Sequence, residues 1–182
     1  MLFWVDPWST EGQAAAAELR PLISPLRLHA ERAVTLLAQA RDAGPLRETD
    51  AVDAIDLGAR KFDFIGQKFE TADAIAKVYQ QAYAWQADAQ NAKLVSGLVG
   101  SISGTDGLCE DIRNRYSYTR LQYSQLWLRE NRPYWLQNVL VRYDLASQLW
   151  ALRSARFVAA HEQWHQHRTL PAPADMGIPP VN

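Results

Sequence analysis

The chain has 182 residues, 48% of them hydrophobic, with 19 basic and 20 acidic residues and a formal net charge of −1. That length suits one domain of about 100–200 residues, and the even charge balance, with no run of Lys and Arg, gives no electrostatic footing for nucleic acid. No apolar stretch reaches the roughly 18–20 residues of a membrane span, and a lone cysteine, Cys109, excludes an internal disulfide or a Cys-based zinc site.

Residues 1–9 read as irregular, and Met1 to Pro7 lack the charged n-region and long apolar run of a secretory signal. Thr10 followed by Gln13 matches a capping box. A short helix is expected from there to Arg20, stopped by Pro21. Ser24-Pro25 predicts a second start, carrying Leu28, Leu36 and Leu37 to about Ala43, where Gly44-Pro45 stops it.

The next helix is predicted from Thr49 or Asp50 to about Leu94, with Val52, Ile55, Ala59, Phe62, Phe69, Ala76 and Tyr83 at helical spacing. Gly58 and Gly66 interrupt it, each at a cost of about 1 kcal/mol against Ala, which points to close helix crossings. Four glycines between Ser96 and Gly107 predict the main break of the chain. A helix over Leu108–Glu130 follows. Asn131-Arg132-Pro133 restarts the chain, and a last helix carries Trp135, Val139, Tyr143, Ala146, Trp150 and Phe157 to about His165.

These elements give an all-α fold, an antiparallel helical bundle of about five helices. It forms a single helical domain over residues 1–167, with an irregular, Pro-rich and loose tail over 168–182. Seven Trp and seven Tyr are many for this length. They read first as core side chains, and second as a sugar-stacking or partner surface.

Three groups of residues bear on chemistry. His161-Glu162-Gln163-Trp164-His165 fits the H-E-x-x-H pattern, in which two histidines one turn apart hold zinc and the glutamate activates water. A catalytic site needs a third protein ligand, and only His167 and Asp175 follow. The pair therefore reads as a helix end complementing its dipole, with His161 and His165 as weak metal candidates. Asp56, Asp63 and Glu70 form an acidic stripe, read as ion-paired with Arg60, Lys61 or arginines of the last two helices. No Glu-x-x-His pair is present to complete a di-metal site. Cys109 sits near a helix start, where a thiol pKa can fall, although a buried structural thiol is the plainer reading. No nucleophile elbow, P-loop or dinucleotide fingerprint occurs, and no cofactor is implied.

Arg132, Tyr134 and Trp135 are the candidate binding residues. In the structural reading they form a junction in which Trp135 is buried and Arg132 reaches the acidic stripe. In the rival reading Tyr134 and Trp135 are an exposed platform for a sugar ring.

Two segments carry a resemblance: Asp53 to Phe69, and Leu126-Trp127-Leu128-Arg129-Glu130-Asn131-Arg132-Pro133-Tyr134-Trp135-Leu136 with its continuation to Asp144. Together they resemble the helical C-terminal region that follows the catalytic barrel in bacterial β-N-acetylhexosaminidase-like proteins of glycoside hydrolase family twenty. The resemblance implies an accessory domain without catalysis, because the family's Asp–Glu pair lies on a (β/α)₈ barrel for which this chain has no room. Its implied partners are a hydrolase barrel domain or a second copy, with neither nucleic acid nor membrane. As it stands the chain reads as cytoplasmic, and as extracytoplasmic if it belongs to an exported hydrolase. The alternative is a free-standing helical protein–protein interaction module. A metal-dependent hydrolase at His161, Glu162 and His165 comes third.

Overall fold

The computed structural model describes residues 2–180, and among them every regular element is helical. Helix α1 spans Thr10–Asp42, α2 Thr49–Trp85, α3 Ala92–Ser103, α4 Leu108–Glu130 and α5 Leu136–His167, with a 3-10 turn at Ala89–Asn91. The all-α class is the one read from periodicity. The chain divides into two compact units: the described residues up to Phe69 with Arg115–Asp144, and Glu70–Asn114 with the described residues from Leu145 on.

Several predicted boundaries move. Ser9, not Thr10, caps α1: its hydroxyl accepts from the Gly12 amide at 3.0 Å, while the Gln13 side chain donates to the Pro7 carbonyl at 2.6 Å. Gly12 is required here, since a Cβ would collide with the Asp6 carbonyl oxygen as the N-terminal turn folds back. The helix then runs straight through Pro21 and Pro25, where two helices were expected. Each proline removes a backbone donor and costs about 3 kcal/mol or more. Standing four apart, both lie on one exposed side, so the carbonyls they leave unpaired face water. Ala16, Ile23 and Ala30 are buried on another stripe and keep the helix whole.

Helix α2 ends at Trp85 rather than near Leu94, and the Asp88 carboxylate caps the 3-10 turn by accepting from the Gln90 amide at 2.9 Å. The glycine-rich stretch is mostly helix: α3 continues through Gly97 and Gly100 to Ser103. Val95, Val99 and Ile102 are fully buried along it, and their burial offsets about 1 kcal/mol for each glycine. The break shrinks to residues 104–107, where Gly107 donates to the Gly104 carbonyl.

In the first unit, partners on neighbouring helices run in opposite order, which makes each pair antiparallel. Arg41 meets Asp53 and Asp56 while Arg27 meets Asp63, so α1 opposes α2. Asp53 meets Arg129 while Phe64 meets Tyr116, so α2 opposes α4. Arg120 meets Asp144 while Tyr123 meets Tyr143, so α4 opposes α5.

The N-terminal segment fills the interior of this unit. The Phe3 ring meets Phe64, Tyr116 and Tyr143 edge-on at 5.6–5.7 Å between centroids. Its carbonyl accepts from the Tyr116 hydroxyl at 2.9 Å. Lys68, 1% exposed, donates from Nζ to the carbonyls of Leu2, Phe3 and Val5 at 2.8, 3.0 and 2.7 Å. Burial pushes its ammonium down to about 7, with Asp6 pulling it back up.

The second unit is closed by the tail. Leu170, Met176 and Ile178 are buried, so the segment after α5 is irregular but packed rather than loose. The Tyr79 hydroxyl donates to the Pro171 carbonyl at 2.9 Å, and the Gln86 side-chain oxygen accepts from the Leu170 amide at 2.6 Å. Burial raises the Tyr79 pKa, so the phenol stays a donor. Trp150, Phe157 and Trp164 form the buried stripe of α5 here, with the Tyr79 ring against Phe157 at 5.4 Å.

The two glycines expected at crossings part ways. A Cβ on Gly66 would lie 2.6 Å from Arg27 Cγ and 3.3 Å from Ile23 Cγ2, so α1 crosses α2 there. A Cβ on Gly58 would meet nothing within 4 Å, so that glycine marks no crossing. Gly58→Ala should therefore stabilise by about 1 kcal/mol through helix propensity, whereas Gly66→Leu should cost about 1–3 kcal/mol by overpacking. Urea denaturation of the two variants checks both signs.

Lys68 sets a pH dependence. Its folded pKa of about 7 lies below the ordinary 10.5, so between those values the unfolded chain holds a proton that the folded chain has released. Stability should then rise with pH across that window, by at most about 1.4 kcal/mol per unit. In Lys68→Met the rise between pH of about 7 and 8.5 should vanish, whatever the variant's absolute melting temperature.

Candidate functional site

The α4–α5 junction lies in the first unit. Helix α4 ends at Glu130, and the Trp127 indole donates to the Arg132 carbonyl at 2.9 Å. Helix α5 begins at Leu136, one turn later than Pro133 at a helix start would give. The buried face of its first turns is Leu136, Leu140 and Tyr143. Trp135 falls just outside the helix and off that face. It is 62% exposed and Tyr134 is 73% exposed, so the expected burial of Trp135 is overturned. Their rings meet edge-on at 5.3 Å. Trp135 also holds φ at +66°, a left-handed conformation unusual for a bulky side chain.

Arg132 is exposed and does not serve the acidic stripe. Asp63 pairs with Arg27, and Asp56 with Arg41 and Arg60. These arginines come from α1 and α2, while Arg129 of α4 pairs with Asp53. Burial pushes the Asp53 pKa up, but hydrogen bonds from Arg41 and Arg129 outweigh that and hold it below the usual carboxylate range. A cleft of about 130 Å³ lies beside them, lined by Asp53, Asp56, Leu57, Gln122 and Arg129 among others. Its charges face one another and hold α1, α2 and α4 in register.

The histidine pair lies in the second unit. His161 Nε2 and His165 Nε2 are 3.1 Å apart, with ring centroids at 4.5 Å. The Ser96 hydroxyl of α3 sits 2.9 Å from His161 Nε2 and 3.4 Å from His165 Nε2. Gly100, one turn along from Ser96, faces the His161 ring, and a Cβ there would make an ordinary contact 3.4 Å from Cε1. Burial and the neighbouring His165 lower the His161 pKa, so this imidazole favours its neutral form.

Sequence reading paired the histidines but missed Ser96, because the glycine-rich stretch was read as a break. Glu162 is exposed on the turn between the two histidines. Among the described residues no group of three His, Cys, Asp or Glu side chains converges as a metal ligand set. The three-ligand site that H-E-x-x-H catalysis requires therefore has no third member there.

Comparison with known protein families, characterised proteins and solved structures finds no match to this chain.

Cys109 is fully buried, and burial pushes its thiol up to about 12, opposite to the lowering that its place at a helix start allowed. It should resist a disulfide reagent at a pH of about 8 in the folded chain and react only on unfolding in urea. Fast labelling of the native protein would contradict that.

Proposed function

We propose that this chain is a non-catalytic helical module that works by protein contact, with the Tyr134–Trp135 junction as its contact point. The observation that carries the reading is Trp135 itself. A large aromatic held exposed at positive φ costs folding energy of order 1–3 kcal/mol and returns no core packing. Exposed aromatics beside an arginine are also the residue types enriched at protein interfaces.

The resemblance to glycoside hydrolase family twenty makes a catalytic barrel the first partner to try, and the junction falls inside the second resembling segment. A second copy of the chain is the other. In either case the chain supports a partner instead of turning over substrate. Lys68, Tyr116, Tyr79 and Gln86 are spent on main-chain groups of the terminal segments.

Trp135→Gly separates a contact residue from a structural one. Glycine adopts positive φ without strain, so the variant should melt at or above the parent temperature while losing self-association in sedimentation or binding to a family-twenty barrel. A clear drop in melting temperature would return Trp135 to a structural role. Turnover of an aryl β-N-acetylglucosaminide by the repurified chain alone would overturn the non-catalytic reading.

A further inference from the structure

We propose that His161 and His165 of α5, with Ser96 of α3 beside them, form a binding site for a late first-row divalent metal ion such as Ni2+, Cu2+ or Zn2+. The two Nε2 atoms stand 3.1 Å apart. An ion about 2.0–2.1 Å from each nitrogen would subtend an angle of roughly 100° between them, which lies between the octahedral and tetrahedral values. Two imidazoles one helical turn apart therefore already hold the spacing of two ligands on a single ion, which binds once the shared proton leaves and the rings turn toward it.

The surroundings agree. At 3.1 Å the facing nitrogens cannot both carry a proton, so at least one lone pair points into the gap. The Ser96 oxygen, 2.9 and 3.4 Å from the two nitrogens, hydrogen-bonds the free pair and turns aside when an ion takes their lone pairs. Gly100 leaves the neighbouring position on α3 without a side chain. His165 is exposed and His161 half-buried, so the ion can enter from solvent and its remaining positions stay open to water or to a donor from another molecule. Imidazole donors select Cu2+, Ni2+ and Zn2+ over Mg2+ and Ca2+, which take oxygen ligands. The site does not depend on the contact function proposed above, and it lies in the other unit.

The test uses the full chain without an affinity tag, stripped with a chelator and titrated with Ni2+ and then Zn2+ by calorimetry and thermal melting. One equivalent should bind saturably and raise the melting temperature, with no shift from the same concentration of Mg2+. His161→Ala and His165→Ala should each weaken binding at least tenfold, Ser96→Ala less, and His167→Ala not at all. Each variant should melt like the parent in chelator, which keeps loss of binding apart from loss of fold. Absence of saturable binding would show that the pair shares only a proton. One-to-one binding that survives the double His161→Ala/His165→Ala variant would place the ion elsewhere. Either result overturns the proposal.

Discussion

The first unit depends on one buried lysine. Lys68 is almost inaccessible to water, and its ammonium is held by three main-chain carbonyls of residues 2–5. An unpaired charge in such a place would cost several kcal/mol. The carbonyls have the converse problem, because residues 2–5 belong to no helix and their polar groups need partners once buried. Each meets the other's need in part, and burial still draws the Lys68 ammonium down to about 7. The same contact places Phe3 among Phe64, Tyr116 and Tyr143, which seals the interior of the unit with aromatic edges. Lys61 stands over the Tyr123 ring at 4.7 Å and lines the same space, its pKa lowered by burial.

Around that centre the helices are held in register by charge. Arg41 bridges Asp53 and Asp56, and Arg27 reaches Asp63 beside the Gly66 crossing. These pairs are partly exposed, and such pairs contribute little stability individually. Their effect is to choose among alternative alignments of long helices whose apolar stripes are narrow. The second unit uses a different closure. Its tail packs Leu170, Met176 and Ile178 and is tied through main-chain bonds from Tyr79 and Gln86.

Helical periodicity made the fold class readable, and the strongest stops, Gly44-Pro45 and the Asn131–Pro133 turn, fall where helices do end. Local rules failed where tertiary burial outweighed them. Pro21 and Pro25 did not stop α1, and Gly97 and Gly100 did not stop α3, because a buried apolar stripe continued through each. The α2 stripe was misplaced in part. Ile55 and Phe62 are more than half exposed, whereas Leu57, Phe64 and Lys68 are buried. No pattern marks a lysine as interior, because its partners are carbonyls, which every residue carries. Of the candidate site, the histidine pair was legible from its spacing and Ser96 was not. Trp135 reads as core from sequence because an aromatic is usually buried, and its placement outside the helix follows from α5 starting at Leu136.

The contact reading and the metal reading concern the surfaces of the two units, and both presuppose that these helices are held as described. For the first unit that means a Lys68 docked under residues 2–5. The most direct measurement is the titration of the Lys68 side-chain nitrogen followed by NMR in the folded chain. The account requires a midpoint displaced downward to about 7 by burial, with slow exchange of the ammonium protons below it. An ordinary lysine midpoint near 10.5, with rapid exchange, would mean that the side chain is solvated and that the N-terminal segment is not held by it.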